Sequence, residues 1–316
     1  VRDDSKCIKC GRCVNTCQQV QKVGLLSFIN RGFETKVGPA YDVSLADAPC
    51  IYCGQCILAC PVGALHEKEE IDHVWDAIND PKKHVVMQVA PAVRITLAEA
   101  LGEPPGSIST GRMITAMKRV GFHKVFDTDF TADLTILEEG TELIDRINNG
   151  GILPMLTSCC PAWIKFCETF YPELLPHLST CKSPQQMFGA LLKTYYAEKL
   201  GILPQDILSV SVMPCTAKKF EETRPELGRN GIRDIDAVLS VQELARMIRS
   251  AGIRFDTLPD TPFDAPFGLG TGAGEIFGST GGVMEAALRT VYELVTGKAL
   301  RNIDIKAVRG LEGIKE

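Results

Sequence analysis

The chain has 316 residues, 45% of them hydrophobic and 23% charged, with a formal net charge of -5. This is an ordinary globular composition, long enough for two or three domains, and it offers no basic footprint for nucleic acid. No run of about 18 apolar residues and no secretory signal is visible, so a cytoplasmic protein without a membrane span is expected.

Residues 1–70 hold the densest chemistry. Cys7, Cys10, Cys13 and Cys17 form a C-x2-C-x2-C-x3-C run, and Cys50, Cys53, Cys56 and Cys60 repeat it 43 residues later. This spacing matches the ligand pattern of a 4Fe-4S cubane, and in paired folds the fourth cysteine of each run crosses to the other cluster. The expected sets are therefore Cys7, Cys10, Cys13 and Cys60 for one cluster, and Cys50, Cys53, Cys56 and Cys17 for the other. A zinc site would more commonly use separated C-x2-C or C/H pairs. Ile8-Lys9-Cys10-Gly11-Arg12-Cys13 and Ile51-Tyr52-Cys53-Gly54-Gln55-Cys56 read as an internal repeat, each a cysteine-bearing loop entering a brief helix. Pro61 follows the last cysteine as such a run expects, whereas Gln18 stands in the matching place of the first copy. Ligands of this kind must stay reduced, which argues against a disulfide framework.

Residues 71–83 read as a connecting helix and linker, and residues 84–316 as a second domain. His84 to Ala90 predicts a buried strand, Gly111 to Val120 a helix and Lys124 to Asp127 a strand. Thr131 to Asn149 predicts a long amphipathic helix stopped by Gly150-Gly151. Leu153 to Thr157 reads as a strand followed by a helix from about Pro161, and Lys182 to Leu200 as a helix. Further strands are expected at Ile207 to Met213 and Ala237 to Ser240, with helices at Val241 to Ser250 and Val283 to Thr296. The alternation predicts an α/β fold with a parallel sheet. On the long helix Glu139, Glu142 and Arg146 recur at i, i+3 and i+7, hence on one face, a pattern that by itself usually marks a solvated surface.

Two cysteine motifs stand at the ends of predicted strands, where α/β folds usually place their sites. They are Thr157-Ser158-Cys159-Cys160-Pro161-Ala162-Trp163 and Met213-Pro214-Cys215-Thr216-Ala217-Lys218-Lys219-Phe220-Glu221. A lone cysteine is more often a core thiol, but an adjacent pair held before a proline is harder to place that way.

Taken with the twin cluster motifs and with Phe277-Gly278-Ser279-Thr280-Gly281-Gly282-Val283-Met284-Glu285, these residues resemble the FeFe (iron-only) hydrogenases over essentially the whole chain. The resemblance implies an α+β ferredoxin-like N-terminal domain followed by a two-lobed α/β catalytic domain. It also implies an H-cluster, a 4Fe-4S cubane joined to a diiron unit with carbonyl, cyanide and bridging dithiolate ligands. Cys160 and Cys215 match two of the cubane ligands, Cys159 the proton-passing thiol, and Lys218 the residue that pairs with a cyanide. Ala90, Pro91, Gln185, Met213 and Phe277 match pocket-lining positions. Glu139, Ser179, Glu142 and Arg146 match the proton path that ends at Cys159. The implied reaction is the reversible reduction of protons to hydrogen, with ferredoxin or NADH-oxidising subunits as electron partner.

The chain departs from the family in having no cysteine after Cys215, where a third motif would supply the remaining two cubane ligands. It begins at Val1 and stops at Lys315-Glu316, so a fragment of a longer enzyme, inactive alone, is the expectation. Glu138 points away from the Glu139 face and receives no role, and Cys167 and Cys181 read as core thiols. The alternatives are an iron–sulfur assembly or carrier protein on the same scaffold, or a sensory hydrogenase-like protein. An assembly protein would have no use for a proton-passing thiol at Cys159.

Overall fold

The computed structural model describes residues 1–278 and 281–300; Ser279 and Thr280 of the glycine-rich motif lie outside the described residues. In chain order the described elements begin with α1 (Arg12–Asn15), β1 (Ser27–Ile29), β2 (Lys36–Gly38), α2 (Gln55–Ala59), α3 (Ile71–Asn79) and β3 (His84–Val89). There follow α4 (Val93–Ala100), α5 (Thr110–Val120), β4 (Lys124–Asp127), α6 (Asp129–Asn149), α7 (Pro161–Phe170), α8 (Pro184–Leu191) and α9 (Ala197–Leu200). The series closes with β5 (Ile207–Val212), α10 (Ala217–Glu221), β6 (Ala237–Leu239), α11 (Val241–Ser250), α12 (Ala273–Ile276) and α13 (Gly282–Thr296). No described helix is long and apolar enough to cross a membrane.

These elements fall into two compact units. The first comprises Val1–Glu69, Cys160–Leu175 and Cys215–Glu221, and the second comprises Glu70–Cys159, Pro176–Pro214 and the described residues from Glu222 on. Two later segments, α7 and α10, pack together inside the first unit. Their anchor is aromatic: Phe220 of α10 stacks on Tyr52 with ring centroids 4.4 Å apart at 12°. A pair of that kind is worth about 0.5–1.5 kcal/mol beyond its buried area. The Thr216 hydroxyl adds a hydrogen bond to the Tyr52 carbonyl at 3.2 Å.

The sequence repeat of the first unit is also a backbone repeat. Lys9 and Tyr52 both adopt left-handed conformations (φ 56° and 57°), each followed two residues later by a glycine at φ 74° or 73°. Gly11 and Gly54 can hold that angle without strain, which curls the loop around its cysteines before α1 or α2 begins. Val14, Leu26, Val37 and Leu65 form a small core with Cys13, beside the antiparallel β1–β2 ribbon.

In the second unit four parallel strands lie in the order β4-β3-β5-β6. Alternation along β3 sends Val85, Met87 and Val89 into one apolar cluster and Val86 into another, with Phe126, Phe188 and Tyr196. Both faces of the sheet are thus covered, as the near-continuous apolar runs of β3 and β5 require. Buried polar Gln88 survives in this setting because it is bonded. Its amide donates to the Gln185 carbonyl (3.0 Å) and Ser211 (2.9 Å) and accepts from Thr128 (3.1 Å).

Two expectations change, and one helix is added. Leu153 to Thr157 is not a strand: only Leu156 bridges, to Leu178, since Pro154 has no N–H to offer a ladder. The helix expected from Lys182 starts at Pro184 with Ser183 as its cap, and it widens to a π-helical turn over Leu192–Tyr196 before α9. Helix α4, which no sequence motif announces, begins two residues after Pro91.

Candidate metal centre and active site

The thirteen cysteines are all outside disulfides. Cys7, Cys10, Cys13 and Cys60 line one cavity, against the apolar side chains of Ile8 and Leu65. Burial, and then the neighbouring Cys60 and Cys10, push the Cys13 thiol up. The second set is equally crowded: burial followed by Cys50, Cys53, Cys17 and Cys13 drives Cys56 up to about 12. Cys60 thus lies with the thiols of the first run, and Cys17 with those of the second. Backbone amides already face the sulfurs, from Ala64 to Cys60 at 3.2 Å and from Tyr52 to Cys50 at 3.4 Å. Although partial burial raises it, the Cys60 thiol ends below its usual range through amides of residues 62 to 65.

Among the described residues no three His, Cys, Asp or Glu side chains converge closely enough to hold a single metal ion. The donor chemistry of the two sets, all soft thiols with N–H groups directed at sulfur, suits iron–sulfur cubanes.

Cys160 and Cys215 both belong to the first unit, each just ahead of a helix: Cys160 before α7 and Cys215 before α10. Cys215 lies near enough to Cys53 for its charge to raise that thiol, after burial, amide contacts and Cys17 have acted on it. Lys218 rests its ammonium 3.1 Å from both carboxylate oxygens of Glu221, one turn further along α10.

The second unit gathers the remaining candidates. Ala90 and Met213 follow directly on the adjacent parallel strands β3 and β5, at their C-terminal ends. Gln185 is buried on α8, its carbonyl held by Gln88. Pro91 is exposed and Phe277, at the end of α12, half-buried.

Glu139 is 1% exposed, and neither of its carboxylate oxygens has a hydrogen bond of normal geometry. Burial raises its pKa, opposed by the nearby Ser158 amide and Ser179 hydroxyl. Glu142, one turn along the same face, is its opposite. Against the upward push of partial burial, its carboxyl is held low by Ser179 Oγ (2.8 Å), Arg146 Nη2 (2.6 Å) and the Thr180 amide (3.0 Å). Arg146 is itself locked by the carbonyls of Ile152 (3.1 Å) and Leu178 (2.7 Å). Ser179 thus stands between a protonated-leaning carboxyl and an ionised one, and the Ser158 amide beside Glu139 belongs to the residue before Cys159. Glu138 is exposed.

Cys181 needs correction. It is half-buried rather than a core thiol, and its Sγ lies 3.6 Å from Glu142 Oε2 while its amide donates to Ser179 at 3.1 Å. Burial first, then the two glutamates, lift it to about 11, so it stays a donor. Cys167 is fully buried. Thr180 acts through its backbone, which no residue pattern signals; Cys181 could have been found from its place two residues after Ser179.

Residues 83–316 match the model for the iron only hydrogenase large subunit, C-terminal domain, and residues 6–64 match a 4Fe-4S dicluster domain. The chain belongs to the iron-only hydrogenase large-subunit family. It is 53% identical over 322 residues to the NADP-reducing hydrogenase subunit HndD of Solidesulfovibrio fructosivorans, covering 100% of this chain and 55% of that protein. It is 49% identical over 314 residues to iron hydrogenase 1 of Clostridium pasteurianum, covering 99% of this chain and again 55% of the relative. The chain therefore spans about half the length of these two relatives. An apo [FeFe]-hydrogenase HydA1 structure from Chlamydomonas reinhardtii (variant C377H) superposes with a TM-score of 0.69 at 46% identity, covering 78% of this chain and 63% of that one. The parallel sheet and its flanking helices are thus those of this hydrogenase family.

Proposed function

We propose that this chain is the cluster-bearing and proton-handling part of a hydrogenase that interconverts protons and hydrogen, with electrons exchanged through two 4Fe-4S clusters. The observation that carries the reading is Glu139: a carboxyl buried without a hydrogen bond of normal geometry, near the Ser158 amide and the Ser179 hydroxyl, which in turn bonds Glu142 beside Arg146. A buried acid leaning toward its protonated form, beside an ionised one, is the arrangement that passes protons at neutral pH. An assembly or carrier protein would have no need of it.

When bound, the cubanes would supply one-electron transfer and the diiron unit the site where two protons and two electrons combine. Cys7, Cys10, Cys13 and Cys60 would hold one cubane, and Cys17, Cys50, Cys53 and Cys56 the other. Cys160 and Cys215 would provide two thiolates to the H-cluster cubane, half of the donors it takes. Cys159 would deliver or accept the proton at the inner end, Glu139 would exchange it with Ser179, and Glu142 would open to the surface beside Arg146. Lys218 would place its ammonium toward a cyanide ligand, leaving or sharing Glu221. Ala90, Pro91, Gln185, Met213 and Phe277 would wall the diiron pocket and exclude water. An electron-transfer protein, either a ferredoxin or an NADH-oxidising subunit, would be the redox partner.

The test uses the full-length matured protein. Carbonyl and cyanide infrared bands together with hydrogen evolution from reduced methyl viologen are expected. Cys159→Ala should keep the bands and lose most turnover. A protein with cubanes but without those bands would be the carrier instead.

A further inference from the structure

The segment that carries Ser179 runs alongside the loop that leads to Cys159. Leu156 bridges to Leu178, the Ser179 amide donates to the Leu156 carbonyl at 2.7 Å, and the Ser158 hydroxyl donates to the Cys181 carbonyl at 2.9 Å. The main chain of Cys181 is thereby pinned beside the residue that precedes Cys159. Its side chain reaches Glu142, with Sγ 3.6 Å from Oε2. That same carboxylate oxygen accepts from Ser179 Oγ at 2.8 Å. Two side-chain donors, an alcohol and a thiol, thus converge on one oxygen.

Both donors also sense the inner carboxyl. The Ser179 hydroxyl acts on Glu139, and the Glu139 charge acts on the Cys181 thiol. Glu139 is 1% exposed with neither oxygen in a hydrogen bond of normal geometry, so a sealed acid faces two groups that each touch Glu142. The two are not equivalent. One lone pair of the Ser179 oxygen is taken by the Cys181 amide at 3.1 Å. A thiol releases its proton far more readily than an alcohol. Burial first, then the two carboxylates, keep Cys181 protonated, so it stays a loaded donor.

From this arrangement we propose that the relay between Glu139 and Glu142 is forked, with the Cys181 thiol a second proton-transfer group in parallel with the Ser179 hydroxyl. The proposal rests on the proton-handling reading of the two glutamates. In an outward pass the Cys181 S–H bond breaks as its proton moves to Glu142 Oε2, and the sulfur takes the proton of the Glu139 carboxyl. Glu139 ends as a carboxylate, Glu142 as an acid, and the thiol is restored; no electron moves. The inward pass is the reverse.

The test uses the matured full-length protein with Ser179→Ala, Cys181→Ala and the two combined. Parallel branches cover for each other, so each single change should lower hydrogen turnover by only about threefold, and the pair by roughly 10²-fold, far beyond the product of the two. Cys181→Ser in the Ser179→Ala background, which keeps a donor in place, should recover most of that loss. Independent structural damage would multiply, and two members of one serial chain would lose no more together than apart. Either result would overturn the fork. Infrared spectroscopy follows the same path without hydrogen chemistry. The S–H stretching band that Cys181→Ala removes should shift in Glu142→Gln. After rapid transfer to heavy water, deuteration of the protonated Glu139 carboxyl should slow in the double variant by more than the product of the singles. Failure of the hydrogenase reading would abolish turnover in the unaltered protein and leave both signals readable. An S–H band indifferent to Glu142→Gln, or a deuteration rate that Cys181→Ala leaves unchanged in the Ser179→Ala background, would sink the proposal.

Discussion

Replacing Glu142 with glutamine tests whether this carboxylate is ionised and what that contributes. Its Oε1 accepts from Arg146 Nε (3.0 Å) and Nη2 (2.6 Å), and its Oε2 accepts from Ser179 Oγ (2.8 Å) and the Thr180 amide (3.0 Å). All four are donors. A glutamine amide therefore satisfies one side and turns an N–H toward the donors on the other, whichever way it flips. At least one charge-assisted bond is lost and one donor stranded, at about 1.5–3 kcal/mol for such a bond. The pair is mostly buried, with side chains 15% and 11% exposed, so solvent screening removes little of this. We expect Glu142→Gln to cost about 2–3 kcal/mol at pH 7 in urea unfolding followed by circular dichroism. The pH dependence has a definite sign. Because the folded carboxyl is held below its unfolded value, its stabilisation is complete above the unfolded pKa and disappears as pH falls through the folded one. The penalty should therefore shrink on acidification. A cost below about 0.5 kcal/mol at pH 7, where surface ion pairs lie, or a penalty growing toward acid, would refute the ionised assignment.

Three further outcomes follow from the same geometry. Glu139→Gln should reduce hydrogen turnover by roughly 10²-fold or more, as loss of a positioned proton-transfer group does. Its raised pKa means the wild-type protein loses stability as pH rises from the unfolded toward the folded value, and the variant, scanned by thermal unfolding, should lack that limb. Cys60→Ser should remove the cluster shared with Cys7, Cys10 and Cys13 and spare the other, giving half the ferredoxin-domain iron and its visible absorbance; loss of the Cys50 cluster instead would reverse the crossing. Tyr52→Ala should destabilise the first unit by about 3 kcal/mol, an aromatic truncation plus the lost stack, measured by limited proteolysis or denaturant unfolding.

The eight clustered cysteines, the parallel α/β alternation and the Glu139–Glu142–Arg146 face were legible in residue order alone. Each is a local pattern, a fixed spacing or a period, that survives whatever the rest of the chain does. The strand ends were equally readable where apolar runs meet Pro91 or Pro214. What residue order could not carry was the partnership of distant segments. That α7 and α10 fold with the first 69 residues depends on Tyr52 meeting Phe220, 168 positions away, a contact without any periodic signature. The opposite protonation tendencies of Glu139 and Glu142 were likewise invisible. Both are glutamates on one helix face, and only packing decided that one is sealed without a hydrogen bond of normal geometry while the other collects an arginine, a hydroxyl and an amide. Spacing in the chain selects which groups can act; the dielectric and the donors around each, set by tertiary packing, decide how they act.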